Sequence, residues 1–148
     1  MADNEHFKSN REAVRLAMKK SSAAALDVVG EFIRGRAVLL CPVDTDQLRT
    51  NIFPRVSEEA DQLIVGTDVE YAIYVEYGTG IYAEEGKGRQ TPWFYYYEGK
   101  KGEPGWRRTH GQKPSKFLRR AFLDNVDSIS KLFGEAYQTS MSKEKEET

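Results

Sequence analysis

Between Asn4 and Leu40 the chain runs 37 residues without a proline. Within that stretch Phe7, Val14, Met18, Ala25, Val29 and Phe32 recur at spacings of 7, 4, 7, 4 and 3, which is one apolar stripe along a helix. At 1.5 Å per residue such a helix reaches roughly 50 Å, longer than a compact domain of this size. It must therefore project from the body or kink, and Gly30 is the expected kink point. Leu26, Ile33, Ala37 and Leu40 widen the stripe, so the half after Ser21-Ser22 is expected to lie deeper in the core. Pro42 stops the helix by removing an amide and biasing Cys41 away from helical dihedrals.

The whole chain has 148 residues, enough to bury one core without metal or cofactor staples. Its single cysteine, Cys41, permits no internal disulfide and no multi-cysteine metal site. The segment Met1 to His6 lacks the basic-then-apolar pattern of an export signal, and the longest apolar run, Ala37 to Val43, is too short to span a bilayer. Synthesis on the cytoplasmic side and no membrane association are the expectation.

After Pro42, Asp44-Thr45-Asp46-Gln47-Leu48 reads as a short helical turn capped by Asp44 or Thr45. Two strand-like runs, 52–57 and 62–67, flank the polar Glu58-Glu59-Ala60-Asp61 and read as a hairpin. Residues 71–77 place Tyr71, Tyr74 and Val75 at i, i+3 and i+4, as a two-turn helix would. Their β-branched and aromatic content also suits a strand. Residues 81–90 read as a loop. Thr91 to Tyr97 then pairs with Trp106 to Thr109 across a protruding finger, Glu98 to Gly105. Leu118, Phe122, Val126, Ile129, Phe133 and Ala136 predict one final amphipathic helix, and residues 140–148 a disordered polar tail after a single domain over 1–139. The fold class is α+β: a small antiparallel sheet packed by a long N-terminal helix and a C-terminal helix.

Catalytic constellations are thin. The only histidines, His6 and His110, fall near the N-terminus and in a basic loop, and Cys41 reads as a small buried filler rather than a nucleophile. Glu84-Glu85 and Asp44-Asp46 lack calcium-loop spacing, so no metal or other cofactor is expected. Gly86-Lys87-Gly88-Arg89 has the glycines of a phosphate cradle without its spacing or its flanking strand and helix. No enzymatic role is expected.

Aromatic and charge patterning are stronger signals. Ten of the 17 aromatics fall within the 36 residues from Tyr71 to Trp106. Strand alternation sends Trp93, Tyr95 and Tyr97 to one face and Phe94 and Tyr96 to the other. Either helices cover both faces, or one face meets another molecule. Residues 57–85 carry eight carboxylates and no base, whereas 86–120 carry ten bases against two carboxylates, although the net charge is only -1. Such neighbouring blocks are solvated, pair within the monomer, or drive head-to-tail association of copies into a ring. Basic residues among aromatics also fit a nucleic-acid-binding module over 86–120.

Four segments in order, 42–49 (PVDTDQLR), 65–80 (VGTDVEYAIYVEYGTG), 88–93 (GRQTPW) and 111–121 (GQKPSKFLRRA), resemble the tailed-phage head-tail connector, neck or tail-completion proteins named after the tenth gene product of a lambdoid coliphage. The resemblance runs from about Arg34 to Phe122, with Asp46 where that family usually has glycine and Tyr77 where phenylalanine is common. It implies a non-enzymatic structural protein of a phage or prophage virion, made in the bacterial cytoplasm and placed at the head-tail junction. It further implies a homo-oligomeric ring, sixfold to match a tail tube or twelvefold to match a portal. Its partners would be other neck, tail-terminator or tail-tube proteins, with DNA only as passing cargo. The resemblance makes Asp44, Thr45 and Leu48 turn-forming and packing positions, Tyr71, Tyr74, Glu76, Tyr77 and Gly78 a core-plus-interface segment, and Trp93 and Phe117 packing anchors, while Pro42, Asp44, Thr45, Gly78, Gly80 and Pro114 are the expected structural turn residues. Together with the charge and aromatic pattern, it makes Glu70, Tyr74, Glu76, Tyr77, Arg89, Trp93, Tyr95, Trp106, Arg107, Arg108, Lys113 and Arg119 the candidate interface residues.

Overall fold

The computed structural model describes residues 2–42 and 46–147, with the side chains from residue 10 onward. Asp44 and Thr45, expected to cap the short turn, lie outside the described residues, as do the side chains of His6 and Phe7.

The proline-free stretch forms one unbroken helix, α1, over Ala2–Leu40. Its 39 residues extend about 58 Å. It buries Ser21, Ala25, Val29, Ile33 and Ala37, and Cys41 continues that step of four residues just past its end. Three of these side chains are very small, so neighbours approach the helix axis closely. Gly30 is not a kink. A Cβ there would lie 2.7 Å from Pro54 Cβ, so this glycine is where the next hairpin presses on the helix. Residues 10–16 and 18–20 are all exposed, and with them Val14 and Met18 of the predicted stripe. These residues lie outside the core, with Lys19 held to Glu59 of the first hairpin's turn at 3.5 Å.

A short helix, α2 (Asp46–Thr50), leads into the antiparallel hairpin β1 (Ile52–Val56) and β2 (Leu63–Thr67). Ser57 sets its turn: the hydroxyl accepts from the amides of Asp61 and Gln62 and donates to Asp61 Oδ1 at 2.7 Å. The turn is tied to α1, whose Ser22 donates to the Ala60 carbonyl at 2.6 Å. Ile52 is buried, and the inner face of the hairpin lies on α1. Residues 71–77 are helical, as α3 (Ala72–Tyr77). The following loop contains two 3-10 turns, Gly80–Tyr82 and Glu84–Gly86. The second hairpin, β3 (Trp93–Tyr97) with β4 (Gly105–Thr109), has the register Trp93 with Thr109 through Tyr97 with Gly105.

The four strands do not form one sheet: they make two separate two-stranded sheets, and only the first packs on α1. The predicted final helix is likewise two, α4 (Phe117–Leu123) and α5 (Val126–Glu146). Between them Asn125 leaves helical dihedrals and its side-chain amide donates to the Ala121 carbonyl at 3.0 Å, closing α4 and starting α5. Residues 140–146 are helical where composition predicts a disordered tail. Lysine and glutamate favour helix, and Glu144 pairs with Lys20 of α1 at 3.6 Å as α5 packs along that helix. The core joins Val29, Ile33, Ala37, Cys41, Leu48, Ile52, Ala72, Phe117 and Ala121, so each helix contributes to it except α5, which lies over it through Ile129 and Phe133. The architecture is α+β, with a long first helix and a last helix.

Candidate interaction surfaces

Gly78 ends α3 with φ 79°, its amide donating to the Tyr74 carbonyl at 2.9 Å. The chain then crosses residues 110–112 backbone to backbone, through Thr79 N to the Gln112 carbonyl at 2.9 Å and Ile81 N to the His110 carbonyl at 3.0 Å. A side chain at Gly80 would overlap the His110 carbonyl, and one at Gly88 would overlap the Gly80 carbonyl. Both glycines thus serve chain crossing, and Gly88 is not part of a phosphate cradle. Pro114 packs on Gly78, and the next residues dock on α3: Ser115 N donates to the Val75 carbonyl at 2.8 Å.

The acidic and basic blocks meet inside the chain at this crossing. Glu76 is 5% exposed and lies on the inner side of α3 with Ala72. Its carboxylate accepts from Leu118 N at 2.9 Å, Arg119 N at 3.2 Å and Arg119 Nε at 2.9 Å. It thereby supplies the cap that α4 lacks locally, because Lys116 at that position makes no side-chain cap. Arg119 Nη2 reaches Glu84 Oε1 at 3.0 Å, Lys116 Nζ joins at 3.4 Å, and the Arg119 guanidinium lies 4.8 Å from the Tyr77 ring centre. The hydrogen bond from Arg119 holds the Glu84 carboxyl below its ordinary 4.5, and Glu84 in turn raises Arg119. Glu76 and Arg119, two of the interface candidates, hold α3, the loop and α4 together within the chain.

Beside this junction Ile73, Tyr74, Tyr77, Glu84, Arg89 and Trp93 line an open apolar groove of about 560 Å³. Arg89 lies 5.6 Å from the Trp93 ring centre. Four of the interface candidates, Tyr74, Tyr77, Arg89 and Trp93, therefore converge here. Lys113 sits over the Tyr82 ring, and Glu70 is exposed between β2 and α3.

The other candidates, Tyr95, Trp106, Arg107 and Arg108, sit on the β3–β4 finger. The register puts Trp93, Tyr95, Tyr97, Arg107 and Thr109 on one face, where Arg107 covers the Tyr97 ring at 4.0 Å. The opposite face carries Phe94, Tyr96, Trp106 and Arg108. Its rings are 67%, 54% and 72% exposed, with Tyr96 and Trp106 edge to face at 5.7 Å. Helices do not cover both faces of this hairpin. Phe94 and Tyr96 were assigned to this second face by alternation yet are missing from the expected interface set, and theirs is the face whose rings are the more exposed. Among the described residues Glu58, Asp68 and Glu70 on the acidic side, and Lys100, Arg108 and Lys113 on the basic side, make no ion pair.

Cys41 is buried, which pushes its thiol up, against a smaller lowering by Arg49. Among the described residues no group of three or more histidine, cysteine, aspartate and glutamate side chains could hold a metal ion. No helix among them is long and apolar enough to cross a membrane.

Residues 7–78 match the family described as "Bacteriophage HK97-gp10, putative tail-component". The match covers nearly all of α1, then α2, β1–β2 and α3, and with them the first resembling segment and the second up to Gly78. The match agrees with the resemblance to a tailed-phage family, begins further toward the N-terminus than Arg34, and ends before the finger and α4–α5. No curated protein and no solved structure matches the chain.

Proposed function

We propose, on the premise that residues 7–78 mark a phage tail component, that this chain is a structural, non-enzymatic virion protein whose copies form a ring at the head-tail junction. It is made in the bacterial cytoplasm and joins other neck, tail-terminator or tail-tube proteins. Sixfold symmetry suits a tail tube and twelvefold a portal. DNA passes through as cargo, so the basic surface faces protein.

The observation that carries the ring is the finger. A two-stranded hairpin is marginal in water by itself, and this one leaves three aromatic rings bare on one face with Arg108 among them. Aromatic residues and arginine are the types that anchor protein interfaces. Within the matched segment, Tyr74 and Tyr77 of the groove add a second exposed aromatic surface.

Native mass spectrometry with negative-stain imaging tests this, on the chain alone and mixed with the tail tubes of its phage. Closed oligomers are expected, with single copies under both conditions as the contrary result. Arg107→Glu with Arg108→Glu should weaken association, and salt should do the same, since screening acts over about 8 Å at physiological strength. If the finger instead serves nucleic acid, the chain will be retained on DNA at low salt with a slope of roughly 0.7 to 0.9 per phosphate.

A further inference from the structure

We infer that the bare face of the β3–β4 finger in one copy docks on the outer face of the β1–β2 hairpin in the next. This rests on the ring reading and names its contact. The outer face of β1–β2 is fixed by register: Phe53 opposite Gly66, and Arg55 opposite Ile64. Ile64 is 64% exposed and Phe53 is also exposed, although the inner face of the same hairpin is packed.

Among the described residues nothing packs against the Cα of Gly66 where a side chain would stand. A Cβ built there meets nothing within 4 Å, and its φ is not in the left-handed region. A glycine inside a strand weakens it, and where neither a turn nor an intrachain contact requires it, close approach by another molecule is a physical reason for one. Gly66 leaves a flat gap between Phe53 and Ile64 that a ring can enter.

Charge selects the same pairing. The finger carries Arg107, Arg108 and Lys100 beside Glu98 and Glu103, whereas β1–β2 is flanked by Glu58, Asp68 and Glu70, and among the described residues these three bases and three flanking acids make no ion pair. The 560 Å³ groove offers no such acidic excess, because Glu84 and Glu85 in its wall stand beside Lys87 and Arg89 and Lys87 pairs with Glu85. Arg55 lies 5.9 Å from the Phe53 ring centre and offers its guanidinium plane to Tyr96 or Trp106. The three rings expose about 400 Å², roughly half of what one partner contributes to a standard interface. The two surfaces differ, so the contact is head-to-tail, and repetition yields a ring where the rotation closes.

The test places the photo-crosslinker p-benzoylphenylalanine at position 106 of the full chain. Equal parts of ordinary and isotopically heavy copies are irradiated at hundreds of micromolar, and the adducts are mapped by mass spectrometry. Mixed-isotope adducts confined to residues 52–70 are expected. Gly66→Arg should reduce them about tenfold or more while leaving the melting temperature unchanged, since the site is open in the single copy. Mixed-isotope adducts elsewhere would overturn the inference yet leave the ring reading standing with another contact. Adducts only within one copy or to nucleic acid, no adducts at all, or full yield in Gly66→Arg would also overturn it. Native mass spectrometry of the unmodified chain judges the ring separately, because subunit number does not depend on which contact makes it.

Discussion

Replacing Glu76 tests whether a side chain 42 residues away caps α4. Glu76→Ala removes the acceptor for the amides of Leu118 and Arg119 and for Arg119 Nε. Loss of a cap costs about 1 kcal/mol, and a charge-assisted bond lost from a buried carboxylate about 1.5 to 3 kcal/mol. Arg119 is more than a third exposed and keeps Glu84, so the lower figure applies to the pair and the sum is about 2.5 kcal/mol. In a domain of this size that lowers the melting temperature by roughly 5 to 10 °C. Glu76→Gln keeps one acceptor without the charge and should lose about half as much. The assay is thermal and urea unfolding followed by circular dichroism, with Arg119→Ala and the double variant completing a cycle. In the Arg119→Ala background Glu76→Ala should still cost about 1 kcal/mol, which is the cap alone. A cost near zero there would refute the capping role and leave only an ion pair.

Three further outcomes follow from the same geometry. Gly30→Ala should destabilise by about 1 to 3 kcal/mol because its Cβ would lie 2.7 Å from Pro54, whereas Gly35→Ala in the same helix meets nothing and should stabilise by about 0.5 to 1 kcal/mol in urea melts. Glu84 titrates below its ordinary 4.5 when folded, so its contribution is present above that pH and disappears as pH falls through the lowered value. The melting temperatures of the native chain and Glu84→Gln should differ at neutral pH and converge in acid. Cys41, buried and with its thiol raised, should react with iodoacetamide only at the rate of unfolding near neutral pH, and a rate equal to that of a free thiol would contradict its placement.

The elements written in local pattern could be read from the sequence: α1 from its spacing and missing prolines, β1–β2 from alternation around a polar turn, and the finger from glycines between aromatic runs. What could not be read was non-local. Nothing in the spacing of Phe122, Val126 and Ile129 marks the break at Asn125, because the apolar period continues across it and only a side-chain bond back to Ala121 interrupts the helix. Whether the strands share one sheet depends on what covers them, which local pattern does not encode. Glu76 left a faint signal, a carboxylate four residues after Ala72 on the packed side of a two-turn helix. Its partner lies beyond the loop and the finger.

That non-local pairing changes what the charge blocks mean. Of the eight carboxylates in 57–85, Glu76 and Glu84 bind Lys116 and Arg119 within the chain, so two poles of the pattern serve to lock α3 to α4. Glu59 and Glu85 pair with Lys19 and Lys87, and of the rest Glu58, Asp68 and Glu70 lie beside β1–β2 whereas Lys100, Arg107 and Arg108 lie along the finger. A stable lock fixes how each finger is aimed relative to its own β1–β2 face, and for head-to-tail repetition that angle decides whether copies close into a ring or run on as a filament. Loosening the junction should therefore broaden oligomer size before it lowers pairwise affinity. In Glu76→Gln, native mass spectrometry should show a spread of copy numbers, with crosslinking from position 106 to residues 52–70 retained.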